Sequence, residues 1–197
     1  LFGTFYKYLK TKMKSDFKLS YDYFSQFKEL LLERKGYKKF LFKQPFYAVY
    51  DAGKYSMAKY KVGWRYLSKK MDAAVIKGNY DNEIILPDLN VITIEAESME
   101  EAFYISALLN SSVVQLIIKA YGECLRITPG IMRYIPIKKF DIKSDLPLSE
   151  LSEQAHNQFN DQKKVEAIEK EIDYIYAHKL GINEKDLKRI KDYLNEN

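Results

Sequence analysis

Few side chains in this sequence are equipped for chemistry. His156 and His178 are its two histidines, and Cys124 is its one cysteine. Both histidines fall on predicted helices without cysteine or carboxylate companions at ligand spacing, so they read as buried or half-exposed helix residues. Cys124 has no histidine close in sequence to generate a thiolate and reads as a small buried hydrophobe. The acidic run Glu95, Glu97, Glu100 and Glu101 invites a metal or general-acid reading. Its last two members, however, fall in the first turn of a predicted helix, where carboxylates favour the dipole. There is no GxGxxG, no phosphate loop and no Asn-Pro-Pro-aromatic tetrad. The expectation is a non-catalytic chain with no metal and no cofactor of its own.

Charge is the stronger signal. Between Arg34 and Lys77 twelve basic residues stand against two acids, Asp51 and Asp72, and aromatics are threaded among them. From Gly78 to Val113 the sign reverses, with acids and no Lys or Arg. A net charge of +5 therefore conceals a segregated molecule. A polyanion is the simplest partner for such a segment, the bland alternative being a solvated lysine-rich face.

Composition bounds the rest. At 197 residues the chain is one domain with an appendage or two small domains, and 47% hydrophobic content supplies a core. A single cysteine excludes an internal disulfide and fits a reducing cytoplasm. The longest apolar runs, Val113-Val114 and Leu116 to Ile118, are too short to span a bilayer, so no membrane partner is expected. Leu1-Phe2-Gly3 does not open a signal peptide, and the lack of an initiator Met suggests a piece of something longer.

The elements that must position these residues follow from periodicity. A helix is expected over Ser20 to Lys35, capped by Ser20 and stopped by Gly36, with residues 1–19 helical in part. From Phe40 to Ala96 the period becomes two. Strands are expected at Pro45 to Tyr50, Lys59 to Tyr66, Ala73 to Ile76, Glu83 to Leu86 and Asn90 to Glu95, with a turn at Asp51 to Lys54. Lys59, Lys61, Gly63 and Arg65 share one parity and form a basic face. Tyr60, Val62, Trp64 and Tyr66 share the other and face a core. Ser98 and Glu101 form a capping box that opens a helix to Asn110, followed by a helix from Ser112 to Tyr121 that stops at Gly122. Leu125 to Ile127 is a short strand, Pro129-Gly130 a turn, and Lys138 to Leu148 a linker. Three helices complete the chain: Ser149 to Asn160, Gln162 to Leu180 stopped by Gly181, and Glu184 to Leu194 behind an Asn183 cap. The fold class is α+β: a small mixed or antiparallel sheet braced by helices. The domain spans 1–145, with a helical segment at 1–35, and a helical appendage covers 146–197.

Several of these stretches carry a resemblance. Pro45-Phe46-Tyr47 through Gly53-Lys54-Tyr55, Tyr60 to Arg65 and Ala73-Ala74-Val75 resemble the TaqI-like C-terminal specificity domain of adenine-specific DNA methyltransferases and fused restriction–modification enzymes. Ile105 to Ser111, Ile135 to Asp141, Ile172-Asp173 and Leu180-Gly181-Ile182 follow in that family's order, over about residues 20 to 190. Lys59, Gly63 and Lys179 depart from its pattern, which more often has proline, a bulkier aliphatic and an aromatic there. The resemblance implies a type II target recognition domain that grips duplex DNA. A separate N-terminal methyltransferase domain of the same polypeptide, absent from this chain, would bind S-adenosylmethionine and methylate adenine N6. The DNA-binding residues expected are Lys43, Gln44, Lys54, Tyr55, Lys59, Lys61, Arg65, Lys69, Lys70 and Arg126, with Arg65 suited to guanine and Gln44 to adenine. The rival readings are a helical protein-interaction module built on residues 149–194, and a catalytic fragment whose partner residues lie elsewhere.

Overall fold

The structure is a computed structural model describing residues 12–50, 55–78, 83–88, 90–121 and 126–196. The backbone packs as two compact units, Leu1–Lys54 and Tyr55–Asn197. The expected boundary near residue 145 lies inside the second.

The first unit is helical and small. Its helices are α1 (Lys18–Ser25) and α2 (Lys28–Glu33), followed by a π-helical turn at Tyr37–Leu41. One continuous helix from Ser20 was expected. Instead α1 begins behind Phe17, and the chain breaks at Gln26-Phe27. Just before the break the Ser25 hydroxyl donates to the Tyr21 carbonyl at 2.7 Å, a local bond that competes with the helix ladder. Gly36 does not stop the helix: it holds helical angles and leads into the π-turn. Pro45 to Tyr50 is not a strand. Arg34 reaches across from the end of α2 and donates to the carbonyls of Phe46 and Ala48, both at 2.9 Å, and Ala48 N–H closes a turn on Pro45. Those local bonds take groups that a ladder would need. Tyr37, Leu41 and Ala48 form the unit's core.

The second unit is α+β, as expected. Strands β1 (Tyr60–Arg65), β2 (Ala74–Ile76) and β3 (Val91–Ala96) form an antiparallel sheet in the order β2-β1-β3. The expected Glu83 to Leu86 strand has no ladder partner and remains irregular. Alternation along β1 sends Val62 and Trp64 into the core, where both are almost fully buried. The Trp64 indole N–H is satisfied by the Ile127 carbonyl at 3.0 Å.

Against this face pack α3 (Met99–Asn110) and α4 (Ser112–Tyr121). Ser98 caps α3 by accepting from Glu101 N–H, and the Glu101 carboxylate accepts from Glu97 N–H, one residue earlier than the ideal capping box. The C-terminal helices are α5 (Ile142–Asn157), α6 (Gln162–Lys179) and α7 (Glu184–Glu196). The expected linker is thus mostly helix: α5 starts behind an Asp141 cap and carries Pro147 inside it. Buried Asp145 helps fix that start, accepting from Asp141 N–H at 3.0 Å while its other oxygen binds the Lys179 ammonium. Gly181, at φ 74°, ends α6 in a Schellman turn in which Ile182 N–H returns to the Ala177 carbonyl. Asn183 caps α7 as read from sequence.

These last helices complete the core. Leu148, Ile172, Tyr176, Ala177 and Leu187 are buried in one cluster with Val62 and Trp64. Asp173, on α6, binds the N-terminus of α4 from a distance: its carboxylate accepts from Ser112 N–H and Ser112 hydroxyl, both at 2.6 Å, and Lys191 of α7 pairs with it at 2.9 Å.

The edge of β2 is closed by side chains. Gln115 makes two bonds to the backbone of Met71, accepting from N–H at 3.0 Å and donating to C=O at 2.7 Å. Asn110 does the same to Ala73 at 2.7 and 2.8 Å, and Ser106 adds a bond to the Ala73 carbonyl. His156 accepts from Val75 N–H at 3.1 Å through Nε2, while Nδ1 donates to the Ser152 carbonyl at 2.7 Å. This arrangement fixes the tautomer of a neutral imidazole.

Two outcomes follow. Asn110→Ala leaves Ala73 N–H unpaired and should cost about 1–3 kcal/mol, read as a lower urea midpoint with an unchanged slope. A chain ending at Asn160 loses Ile172, Tyr176, Leu187 and the Asp173 cap. It should show no cooperative melt and should aggregate. Native-like melting of that truncation would mean α6 and α7 are dispensable for the core.

Candidate nucleic-acid interface

The structure sorts the expected basic residues into those occupied by the fold and those left at the surface. Lys61 belongs to the first class and corrects the idea of an open basic face. It is 1% exposed, and its ammonium donates to the carbonyls of Ala58 and Ile85. Burial holds that ammonium below its usual range. Gly63 beside it is buried too. A Cβ there would lie 2.5 Å from Ile76 Cδ1 and 3.2 Å from Val91 Cγ1, so the glycine accommodates neighbouring side chains. Arg34, the first of the twelve basic residues, is likewise committed to backbone carbonyls.

Arg65 ends β1 exposed. Its guanidinium lies 2.6 Å from Asp72, which also pairs with Lys70 at 3.1 Å. Two cations thus share one carboxylate, and Lys70 also acts on Glu169 across the neighbouring cleft. Lys69 is exposed beside them. Lys59 is exposed with its ammonium 5.3 Å from the Tyr60 ring, and Tyr55 is half-buried in a 3-10 turn, Tyr55–Met57. Lys43 and Gln44 stand in the first unit, where Lys43 lies over the Phe42 ring and the Gln44 carbonyl accepts from the Tyr37 hydroxyl. Lys54 and the expected turn around it lie outside the described residues, as does Cys124.

Arg126 joins the corner from far along the chain. Leu67 and Arg126 form an isolated antiparallel bridge, and Ile127 N–H donates to the Tyr66 carbonyl at 2.9 Å. The bridge lays Arg126 and Ile127 beside the exit of β1, and the following residues pack against α4. There a 3-10 helix, Pro129–Tyr134, carries Arg133 and Tyr134. Tyr134 stacks on Tyr121, the last residue of α4, with centroids 4.6 Å apart and planes 7° from parallel. Both rings are about half exposed or more. Together with Arg126, Arg133 and Thr128 they line a cavity of about 280 Å³. Arg133 donates to the Gly130 carbonyl, and neither arginine has a carboxylate at ion-pair distance among the described residues.

Sequence reading missed Tyr121, Arg133 and Tyr134. Tyr121 counts as an ordinary helix terminus, and the two others follow a turn with no periodicity to mark them. The Leu67–Arg126 bridge and the bonds of Ile127 to Tyr66 and Trp64 tie the segment before Arg133 and Tyr134 to the end of β1.

A larger cleft of about 740 Å³ opens between residues 70–74 and helices α6 and α7. Its rim mixes Lys70, Lys170 and Lys191 with Asp72, Glu166, Glu169 and Asp173. Burial, and secondarily Asp173, pushes the Glu169 carboxyl up. That mixed charge offers nothing selective to a polyanion. Among the described residues no group of three or more His, Cys, Asp or Glu side chains could hold a metal ion, and no single helix is long and apolar enough to cross a membrane. No protein-family model matches the chain, and no curated protein matches it.

Lys61 and Trp64 are therefore tests of architecture. Trp64→Ala should cost about 3–5 kcal/mol for the lost ring. For Lys61, the unfolded chain binds more protons than the folded one between the depressed folded value and about 10.4. Stability from this group rises with pH across that window. Lys61→Met should lack that rise when urea midpoints are followed from neutral to alkaline pH; parallel pH profiles would show that Lys61 is not buried as a cation.

Proposed function

We propose that this chain is the DNA target recognition domain of a type II restriction–modification enzyme or adenine-N6 DNA methyltransferase. It holds duplex DNA in the cytoplasm for an S-adenosylmethionine-dependent catalytic domain of the same polypeptide. The observation that carries the reading is convergence. The Leu67–Arg126 bridge gathers two cationic stretches, 65–70 and 126–133, at one end of β1 beside a pair of exposed tyrosines. Arginine and lysine supply phosphate affinity, and a few side chains on turns are the usual base readers.

The stretches that carry the family resemblance support the reading differently. Ser106 and Asn110 clamp the sheet edge, Asp173 caps α4, and Gly181 ends α6. The carbonyls of Pro136 and Lys138 accept from the Tyr176 and Tyr104 hydroxyls. These are architectural parts, so the resemblance speaks for a shared framework and leaves sequence preference to the turns. Ile168, Ile172, Ile175 and Leu180, the apolar stripe on which the rival docking reading draws, pack on the domain's own core, which favours the recognition-domain reading.

Binding to any duplex should fall in the range of about 10⁻⁴ to 10⁻⁶ M at physiological salt, with log affinity falling steeply in log salt. Arg126→Ala or Lys69→Ala should each reduce that slope by about 0.9 if it contacts a phosphate, with melting unchanged. A gel shift or anisotropy titration at low salt that detects no duplex binding by the folded chain would overturn the reading.

A further inference from the structure

The tyrosine–arginine cavity has a composition that duplex backbone binding does not require. A phosphate track needs cations; it does not need two rings held 7° from parallel with their surfaces in solvent. Tyr121 is 60% exposed and Tyr134 49%, so the pair presents aromatic surface that the fold leaves uncovered. Beside it two guanidiniums converge on the same small cavity, and no described carboxylate balances them. Like charges brought together with no acid among the described residues beside them call for an anion, and the adjoining ring surface calls for a planar apolar group. One ligand meets both demands at that size: a nucleotide whose base is free of its partner.

We propose that Tyr121, Tyr134, Arg126 and Arg133 form a subsite for one unpaired nucleotide of a nucleic-acid strand. The base stacks on the open face of the tyrosine pair, and the phosphate lies between the guanidiniums. Stacking on aromatic side chains is sequence-tolerant because every base has a π-face. Arginine suits the second half of the site because its planar fork binds phosphate oxygens two at a time. Exposed Lys69 follows Leu67, the residue bridged to Arg126, so a cation is available to a phosphate flanking the site. That environment favours a nucleotide within a strand over a free one. The proposal rests on the nucleic-acid reading above and adds to it a site for a base out of the duplex stack.

The test uses the full chain and fluorescence anisotropy with three labelled probes: a fully paired duplex, the same duplex carrying one unpaired adenosine, and an oligothymidylate. Thymidine 5′-monophosphate serves as competitor. The bulged duplex should bind about five-fold or more tighter than the paired one, the effect of one base stacked on an aromatic ring. Tyr134→Ala should abolish that preference by weakening the bulged duplex more than the paired one, and Tyr134→Phe should keep it. Arg126→Ala should weaken all three probes. Equal affinity of the wild type for paired and bulged duplex, or a preference that survives Tyr134→Ala, overturns the subsite while duplex binding stands. Oligothymidylate binding that depends on Tyr134, with neither duplex bound, keeps the subsite and overturns the duplex reading. Displacement by thymidine monophosphate, dependent on Tyr134, assigns the cavity to a free nucleotide and overturns the strand proposal. Failure of every probe overturns both.

Discussion

A three-stranded sheet with a three-residue edge strand is a weak scaffold unless its open edge is satisfied, and here three helices satisfy it with side chains. Gln115, Asn110 and His156 take the outward backbone groups of Met71, Ala73 and Val75 in turn. An unclosed edge would leave buried donors without partners and a template for pairing with another chain. The same bonds locate the helices: α4 through Gln115, α3 through Asn110, α5 through His156. Asp173 then fixes the start of α4 against α6, and Lys191 neutralises it from α7. With both its start and its Gln115 side chain held, α4 delivers Tyr121 to the place where Tyr134 can stack on it. The candidate site is thus a consequence of how the sheet edge is closed.

The electrostatic picture changes once burial is known. A segment with twelve basic residues looks like a single polyanion-binding face, yet several of those charges stabilise the chain itself. Arg34 organises the first unit by holding two carbonyls, and Lys61 ties β1 to two irregular segments. Arg65 and Lys70 share Asp72. Cationic capacity at the end of β1 comes as much from Arg126 and Arg133, which lie outside the basic segment, as from within it. Linear charge density thus overstates the free basic surface, because it counts cations that the fold itself uses.

Features governed by local hydrogen bonds were legible in the sequence. Ser98 and Asn183 start helices, Gly181 stops one, and Asn110 and Ser112 bound the α3–α4 break, all where the residue types indicate. Period-two alternation located all three strands and placed Trp64 in the core. What failed was decided at a distance. Pro45 to Tyr50 has a strand-like composition, but Arg34 captures its carbonyls. The expected linker over Lys138 to Leu148 is helical from Ile142 onward, because Asp141 and the Asp145–Lys179 pair hold it there. Parity put Lys61 on the correct face of β1; it could not show that residues 83–88 cover that face at Ile85. The pairing of Tyr121 with Tyr134 depends on a bridge between Leu67 and Arg126, which no periodicity encodes.

Hydrogen–deuterium exchange of the full chain with and without duplex DNA at low salt tests the central placement most directly, because it reads the contact surface without altering a residue. The account predicts slowed exchange at residues 66–70 and 126–134, where the bridged segments meet, with β1 and helices α6 and α7 unchanged. Protection confined to the C-terminal helices, or to the 740 Å³ cleft they form with residues 70–74, would contradict it.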